Sequence, residues 1–347
     1  MTECVLVAMS GGVDSSAAAY LLKEAGYEVA GAYMLLSETG ADNEANFRDL
    51  EATRKVLNIP LHLLDFREEF NRCVIDYFCQ EYVLGHTPNP CVVCNEGIKF
   101  GLLLRWALAN GADYLATGHY ARVEASPDGF HLLKGLDLAN DQSYFLYRLG
   151  QDELSRVLMP IGYQKSKTGV RKLAERAGLP VSAKPKSHDI CFIPDGDYRT
   201  FIEKHVTPTP GDIVDKAGKV IGRHQGLTGY TVGQRQKLGV SAGHALYVLE
   251  LDAGNNRLVV GSREELASLS VVVKDLSWIA GRAPKDLSGI TAKIRYRAKD
   301  VGVRLELRGD TALVEFSESQ LALTPGQSLV FYNGDEVLGG GIITGKE

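Results

Sequence analysis

The chain of 347 residues is 45% hydrophobic and contains 12 prolines, which favours a soluble protein with at least two packed cores. Lys and Arg number 38 against 43 acidic residues, a net charge of −5. This balance excludes a general electrostatic attraction to nucleic acid, so any such partner must bind at local patches. The six cysteines are too few and too unevenly spaced for a secreted disulfide framework.

The chain begins MTECVLVAMSGGVDSS, where a short apolar run leads directly into a polar glycine loop. No positively charged segment precedes this run, and the run is too short to span a membrane. The sequence therefore predicts neither a secretory signal nor a membrane span, and the expected location is the cytoplasm.

Short β-rich runs alternate with helical segments over the first third of the chain, at residues 3–9, 28–35, 61–65 and 113–117. This alternation predicts a parallel, doubly wound α/β sheet, in a domain of residues 1–196. The domain is expected to end with a charged helix near 164–177 and a polar loop that extends to about 196.

Two β-hairpins are predicted after residue 210, at 211–222 and 245–262, because alternating strands flank turn residues there. They define a small central, mostly β domain at residues 197–270. Closely spaced strands follow, as is typical of a small antiparallel β-barrel, which is placed at residues 271–347.

The glycine loop Ser10-Gly-Gly-Val-Asp-Ser15 lies between an apolar strand and a helix that starts near Ser15. Backbone amides at such a helix start can bind phosphate, and Gly11 and Gly12 allow close approach. Asp14 could orient a magnesium ion. An ordinary strand-to-helix turn is the alternative for SGG alone.

The full string SGGVDS resembles the pyrophosphatase-loop (PP-loop) family of adenylating enzymes. This resemblance implies attack at the α-phosphate of ATP with pyrophosphate leaving. A Walker-type loop would end in Gly-Lys-Ser/Thr, which is missing here, so γ-phosphoryl transfer of that kind is disfavoured.

A proline-stiffened loop delivers Cys91 and Cys94 to the start of a helix expected to run through Ala109. The helix dipole lowers the pKa of a thiol there, which suits a nucleophile or a metal ligand. A structural zinc pair is less favoured, because no second CxxC or His pair is present. Cys191, in a distant polar loop, is the third candidate. The other cysteines are expected to pack as small hydrophobic residues: Cys4, Cys73 and Cys79.

Six motifs in one order carry a closer resemblance: AMSGGVDSS, TPNPCVVCNEGIKF, ATGHYAR, NDQSYFLYRL, SHDICFIPDGDY and GLTGYTVGQRQKLG. With them, nearly the whole chain resembles the bacterial and organellar tRNA-specific 2-thiouridylases. SGGVDS by itself would equally suit GMP, asparagine or argininosuccinate synthetases.

The resemblance makes Cys94 the catalytic nucleophile and Cys191 the persulfide carrier. It implies an ATP site at Ala8, Met9, Ser10, Gly11, Gly12, Val13, Asp14, Ser15, Met34 and Gly118. It places the target uridine against Asn89, Pro90 and Cys91. It implies further tRNA contacts at His119, Asn140, Asp141, Gln142, Arg295, Tyr296 and Gln327.

The implied reaction is ATP-dependent 2-thiolation of the wobble uridine in tRNAs for Lys, Glu and Gln. The C2 oxygen is adenylated with release of pyrophosphate, and sulfur then replaces AMP. Cys191 would receive sulfur from an upstream donor, a cysteine desulfurase or a sulfur relay protein. Either Cys94 attacks this persulfide, leaving a Cys94–Cys191 disulfide, or the persulfide attacks C2 directly.

One departure from the family concerns Cys91, where its members commonly carry Asp. Together with Cys94 and Cys191 it supplies three thiolates, which could hold a 4Fe-4S cluster and leave one iron free for hydrosulfide. The cluster route and the persulfide route both remain open. Two alternative functions are another PP-loop ligase acting on a small metabolite, and a metal-stabilised RNA-binding module without activity.

Two basic stretches are predicted to bind RNA phosphates. In the predicted strand 291–299, Lys293, Arg295, Arg297 and Lys299 would all lie on one face. Between residues 165 and 186, one acid accompanies seven bases: Lys165, Lys167, Arg171, Lys172, Arg176, Lys184 and Lys186. A solvated helix face is the alternative for this second stretch.

Overall fold

The computed structural model describes residues 2–37, 42–182, 190–193, 196–240 and 243–345. No helix within these ranges is long and apolar enough to cross a membrane. Lys184 and Lys186 of the predicted basic stretch, and most of the loop before Cys191, lie outside the described residues.

The first part of the chain forms the predicted parallel sheet. This part of the chain contains the strands β1 (Cys4–Ala8), β2 (Glu28–Leu35), β3 (Leu61–Asp65), β4 (Tyr114–Ala116), β5 (Ala121–Ser126), β6 (Gly129–Lys134) and β7 (Val157–Leu158). Five of them are parallel, in the order β3-β2-β1-β4-β7. The order reverses at β1, which confirms the doubly wound fold. In such sheets ligands bind beyond the carboxyl ends of the strands at this reversal, and Ser10 lies there.

Nine α-helices occur in the described residues: α1 (Val13–Glu24), α2 (Asp42–Leu57), α3 (Arg67–Phe70), α4 (Asp76–Val83), α5 (Pro90–Val93), α6 (Leu104–Ala109), α7 (Gln151–Leu154), α8 (Lys167–Arg176) and α9 (Tyr198–Glu203). Two π-helices, Asn71–Ile75 and Cys94–Leu103, connect α3 to α4 and α5 to α6. The helix predicted to run through Ala109 is therefore present, but its middle has the wider π geometry. Short 3₁₀ turns lie at Ser143–Leu146, Pro160–Tyr163, Leu227–Gly229 and Glu264–Leu266.

The central segment contains the two predicted hairpins. They are β8 (Gly211–Asp215) with β9 (Val220–His224), and β10 (Tyr247–Asp252) with β11 (Arg257–Gly261). A parallel pairing of β11 with β8 joins them into one sheet, in the order β10-β11-β8-β9. Ile213, Val248 and Leu258 are completely buried in a small core of their own.

The C-terminal strands close into the predicted antiparallel barrel. They are β12 (Ala267–Trp278), β13 (Thr291–Lys293), β14 (Val301–Arg308), β15 (Thr311–Leu321), β16 (Ser328–Asn333) and β17 (Glu336–Gly345). Closure occurs because β12 pairs with β15 on one side and with β17 on the other. Closure removes the exposed strand edges that an open sheet would leave.

A hairpin from the first part of the chain extends the barrel sheet. Strands β5 and β6 pair with each other, and β6 pairs with β17 through Leu132 and Val337. The hairpin was not predicted, although Pro127-Asp-Gly129 between two alternating runs is a turn signal. The hairpin links the segment that follows β4 of the parallel sheet to the barrel.

The strand predicted at residues 291–299 is wrong beyond Lys293. The chain turns there, and Ile294 is buried in the barrel core. Lys293 points to Asp141 and Asp300, at 3.9 and 3.6 Å, and the predicted single face of four bases does not exist. A period-two pattern contains no information about these acidic partners or about the turn that follows Lys293.

Candidate active site beyond the first strand

The SGGVDS loop turns tightly between β1 and α1. The Ser15 hydroxyl donates to the Gly12 carbonyl at 3.2 Å and accepts the backbone N–H of Ser10 at 3.2 Å. Gly11 has a φ of +72°, and a side chain there would contact the backbone of Asn46. The structure thus forms the loop and helix start that the sequence predicts for phosphate binding.

Asp14 is held by two side chains. The Tyr120 hydroxyl donates to one carboxylate oxygen at 2.8 Å, and the Lys167 ammonium lies 3.0 Å from the other. Gly118 allows its own segment of the chain to lie close to the start of α1, because a Cβ at residue 118 would lie 2.7 Å from the Ser15 nitrogen. The sequence analysis did not single out Tyr120, and it counted Lys167 only in a basic stretch. Met34, the remaining predicted ATP contact, is half-buried near the end of β2.

The two predicted reactive cysteines meet at the surface of the first core. Cys94 begins the π-helix and is 6% exposed, whereas Cys191 is exposed. Cys191 is anchored by the next residue, Phe192, whose ring packs edge-on against Phe70 and Phe78 at 5.6 and 5.5 Å. Side-chain packing therefore brings together two thiols that are 97 positions apart in the sequence.

Burial sets the ionisation of these thiols. Burial is the main cause that raises the pKa of Cys94 to about 12, and the neighbouring Cys191 and Cys91 contribute in the same direction. The pKa of the Cys191 thiol is also raised by desolvation, since protein atoms surround it closely despite its exposed surface. The ammonium of Lys99 opposes both shifts. The structure therefore disfavours the thiolate that the helix dipole alone predicted. The ammonium of Lys99 acts in the opposite direction and favours the thiolate.

The π-helix places Lys99 beside Cys94. In an α-helix, residues five apart are rotated by about 140°, but in a π-helix they share a face. The Lys99 ammonium is fixed by Asn95, whose Oδ1 lies 3.0 Å away and whose amide donates to the Phe145 carbonyl at 3.0 Å. Gly101 favours the wide turn, because a Cβ there would lie 2.7 Å from the Glu96 carbonyl five residues earlier.

His119 lies in the same region and is 9% exposed. Its Nδ1 forms a 2.8 Å hydrogen bond with the Thr117 hydroxyl, and its ring lies 5.8 Å from that of Phe100. Burial first, and Lys99 second, hold the pKa of His119 well below its usual range. The ring is therefore neutral at pH 7 and can donate or accept one hydrogen bond without carrying charge.

The residues predicted to contact tRNA occupy two environments. Asn89 lines a cleft of about 410 Å³ between α5 and the barrel, together with Arg148 and Ser328. Arg295 is exposed, and Tyr296 packs against Phe145 with ring centroids 4.5 Å apart. Tyr296 is therefore partly buried against the first core.

Three consecutive residues predicted to contact tRNA support one loop. Asp141 is buried and accepts the backbone N–H groups of Gly135 and Ser143. Asn140 donates to Asp137 at 2.9 Å, and Gln142 accepts the backbone N–H of Tyr120 at 3.0 Å. These bonds fix the loop against Tyr120, whose hydroxyl donates to Asp14 of the SGGVDS loop.

The remaining cysteines behave differently from one another. Cys79 is buried in the first core and Cys73 packs partly against it, as predicted. Cys4 is instead only half-buried, and its thiol lies 3.5 Å from a Glu28 carboxylate oxygen, so the prediction of a core position is wrong for it. None of the six cysteines, all of which lie within the described residues, forms a disulfide.

The predicted metal ligands lie near one another in space but do not form a single-ion site. Within the described ranges, no three His, Cys, Asp or Glu side chains converge as ligands for a metal ion. Cys91, half-buried one helical turn before Cys94, does not complete such a group. Cys91 and Cys191 nevertheless both raise the pKa of Cys94, so the three thiols are neighbours, and a 4Fe-4S cluster, whose three ligands would bind three different irons, stays a prediction.

The fold and site define a PP-loop α/β protein with two appended β domains and a pair of adjacent cysteines. Family models match three successive ranges, described as the tRNA methyl transferase HUP domain (3–195), PRC-barrel domain (199–262) and aminomethyltransferase β-barrel domain (268–343). Similar proteins include the tRNA-specific 2-thiouridylases MnmA of Geobacter metallireducens, Syntrophomonas wolfei and Dehalococcoides mccartyi. They are 48%, 47% and 45% identical, over 98%, 98% and 99% of this chain and 96%, 99% and 97% of theirs. The chain belongs to the family of tRNA-specific 2-thiouridylases.

Proposed function

We propose that this protein uses ATP to replace the C2 oxygen of the wobble uridine of tRNA with sulfur. The observation that carries the proposal is the proximity of Cys94 and Cys191 in a protein whose SGGVDS loop makes the tight strand-to-helix turn expected of a phosphate site. A PP-loop ligase that acts on a small metabolite does not require this thiol pair. An RNA-binding module without activity does not require an intact SGGVDS loop. Membership of the thiouridylase family agrees with both features.

The first step is adenylation of the uridine. ATP binds at 8–15, Met34 and Gly118, where Asp14 would hold a Mg²⁺ ion that neutralises phosphate charge. The uridine C2 oxygen attacks the α-phosphorus, pyrophosphate leaves, and the proton of N3 is released. AMP is then attached to C2 as a leaving group far better than oxide.

The second step uses the two cysteines. An upstream donor, a cysteine desulfurase or a relay protein, transfers sulfur to Cys191, whose exposure gives that donor access. The Cys94 thiolate attacks the inner sulfur of the Cys191 persulfide, the persulfide bond breaks, and hydrosulfide leaves with the bonding electrons. Lys99 favours this thiolate against the cost of burial.

Hydrosulfide then attacks C2 of the adenylated uridine. The C2–O bond breaks, AMP leaves, and the proton of hydrosulfide moves to N3 as the C2=S bond forms. A dithiol reductant converts the Cys94–Cys191 disulfide back to two thiols and is itself oxidised. This route needs no metal cluster; a 4Fe-4S cluster held by Cys91, Cys94 and Cys191 is the alternative.

The tRNA lies across the cleft beside Asn89, Pro90 and Cys91 in this proposal. Further contacts come from His119, the loop 140–142, and the barrel residues Arg295, Tyr296 and Gln327. The three proposed domains, 1–196, 197–270 and 271–347, then have different roles in the reaction. The first performs the chemistry, and the barrel supplies the surface on which the RNA is oriented.

The experiment compares Cys94→Ser and Cys191→Ser with Cys73→Ser, using unmodified tRNA for Lys, ATP, a persulfide donor and a dithiol. We expect 2-thiouridine to be lost in the first two variants and retained in the third, while all three release pyrophosphate in a tRNA-dependent manner. Thiolation that survives loss of both Cys94 and Cys191 would contradict the proposal. Iron and acid-labile sulfide in anaerobically purified protein, lost in each cysteine variant, would replace the persulfide route by the cluster route.

A further inference from the structure

Lys167 occupies a position that its place in a basic stretch does not explain. Its ammonium lies 3.0 Å from Asp14, inside the SGGVDS loop, and 5.7 Å from the centre of the Tyr120 ring. Its side chain is 22% exposed, compared with the exposed lysine at 165. Lys167 therefore faces the nucleotide site and does not form part of an outer RNA-binding face.

Packing of α8 against α1 fixes this direction. Val170 and Ala174, which follow Lys167 at helical spacing, are completely buried in the core that also contains Ala17 and Ala18 of α1. The backbone N–H of Lys167 is bound by the Asp137 carboxylate at 2.8 Å. Both contacts hold the first turn of α8 alongside the start of α1, where phosphate binds.

The charge balance of the site calls for such a cation. Asp14 places a negative charge beside the loop, and this charge alone would repel the phosphates of ATP. An ammonium has three N–H donors, of which Asp14 uses one, so two remain for phosphate oxygens. Fixed donors at the position where charge develops are effective in stabilising a leaving group.

We propose that Lys167 binds the β- and γ-phosphates of ATP and neutralises the pyrophosphate that leaves during adenylation. This inference rests on the proposed function, since it assigns a residue to the ATP step of that reaction. Asp14 keeps two roles, holding Mg²⁺ and aiming the ammonium. Tyr120, which donates to the other oxygen of Asp14, fixes the orientation of the carboxylate.

The test measures binding of MgATP, magnesium pyrophosphate and AMP by titration calorimetry to the full chain. Lys167→Met keeps the side-chain length without charge, Lys167→Arg keeps the charge, and Lys55→Met removes an exposed lysine of α2 in the same domain. We expect Lys167→Met to weaken ATP and pyrophosphate binding about 10- to 100-fold, the loss of charged hydrogen bonds, with AMP affinity unchanged. Lys167→Arg should restore part of this loss.

Two results would overturn the inference. Equal ATP affinity in Lys167→Met and wild type would show that Lys167 only neutralises Asp14. Equal losses for AMP and pyrophosphate, with a lower thermal unfolding midpoint, would show a role in folding alone. If wild type and Lys55→Met also fail to bind ATP, the proposed function fails together with this inference, whereas failure confined to the comparison at Lys167 leaves that function intact.

Discussion

The side-chain amide of Gln327 donates a hydrogen bond of 2.8 Å to the carbonyl of Thr87, which lies 240 residues earlier in the chain. The backbone N–H of Thr87 in turn donates to the Pro325 carbonyl at 2.8 Å. Gly326, at a φ of +88°, has no side chain to obstruct this contact. The barrel therefore holds the loop that leads into Asn89 and Cys91.

Gln327→Ala should loosen this loop without affecting ATP binding. A typical hydrogen bond contributes about 0.5–1.5 kcal/mol, so we expect a roughly 2- to 10-fold fall in kcat/KM for tRNA thiolation. Gln320→Ala removes a surface hydrogen bond within β15 and is the matched control. Unchanged tRNA kinetics in Gln327→Ala would mean that the bond does not position the loop.

Gly101→Ala should disturb the π-helix, because its Cβ would lie 2.7 Å from the Glu96 carbonyl. We expect a loss of about 1–3 kcal/mol in the free energy of unfolding and a larger loss of thiolation, since Cys94 and Lys99 lose their common face. Gly97→Ala, where a Cβ meets no atom within 4 Å, is the control. Urea unfolding and product formation measure the two effects, and equal behaviour of the variants would refute this role of Gly101.

Alkylation should distinguish the two reactive thiols. At pH 8 a thiol of pKa about 12 is ionised in only about one molecule in ten thousand, so iodoacetamide should label exposed Cys191 well before buried Cys94. Labelling of Cys94 should accelerate as the pH rises and should slow further in Lys99→Met. Peptide mass spectrometry over a time course gives the rates. Faster labelling of Cys94 than of Cys191 would contradict the burial argument.

His131 should make the junction of hairpin and barrel sensitive to pH. Its pKa is raised chiefly by the hydrogen bond to Glu336, at 2.6 Å, with Asp128 as a second acidic neighbour. The protonated form thus stabilises the folded state below the unfolded pKa of about 6.5, and this contribution disappears as pH rises through the folded pKa.

His131→Gln tests this linkage. We expect it to lower the urea midpoint at pH 6, by an amount corresponding to about 1 kcal/mol or less, and to change it little at pH 9. Glu336→Gln should behave in the same way, because it removes the partner of the imidazolium. An equal loss at both pH values would show that packing of the ring, and not its charge, stabilises the junction.

Reversal of charge at Arg295 and Arg297 should weaken tRNA binding while ATP affinity stays constant. Both side chains are exposed after β13, on the side of the barrel that carries Tyr296 next to Phe145. The double variant Arg295→Glu, Arg297→Glu should lower tRNA affinity by 10-fold or more, on the order of two lost phosphate contacts. Arg304→Glu, at an exposed position of β14, is the control. Equal tRNA affinity in all three proteins would remove this surface from the proposal.

Local patterns in the sequence determined the parallel sheet, both hairpins of the central segment, the barrel and the SGGVDS loop. Each depends on residues close together in the chain: alternation for strands, turn residues for hairpins, and glycines between a strand and a helix for the loop. The same reasoning failed at 294–299, where the chain turns after Lys293, whose side chain lies near Asp300 and near Asp141, a residue far away in sequence.

Contacts between distant segments were decided only by the tertiary structure. Packing of Phe192 sets Cys191 beside Cys94, the π-helix turns Lys99 toward both, and α8 carries Lys167 to Asp14. The sequence named these cysteines but predicted easy ionisation from the helix dipole. Burial in the assembled core reverses that expectation, because the free energy of a charged group depends on all the atoms that surround it and not on its neighbours in the chain.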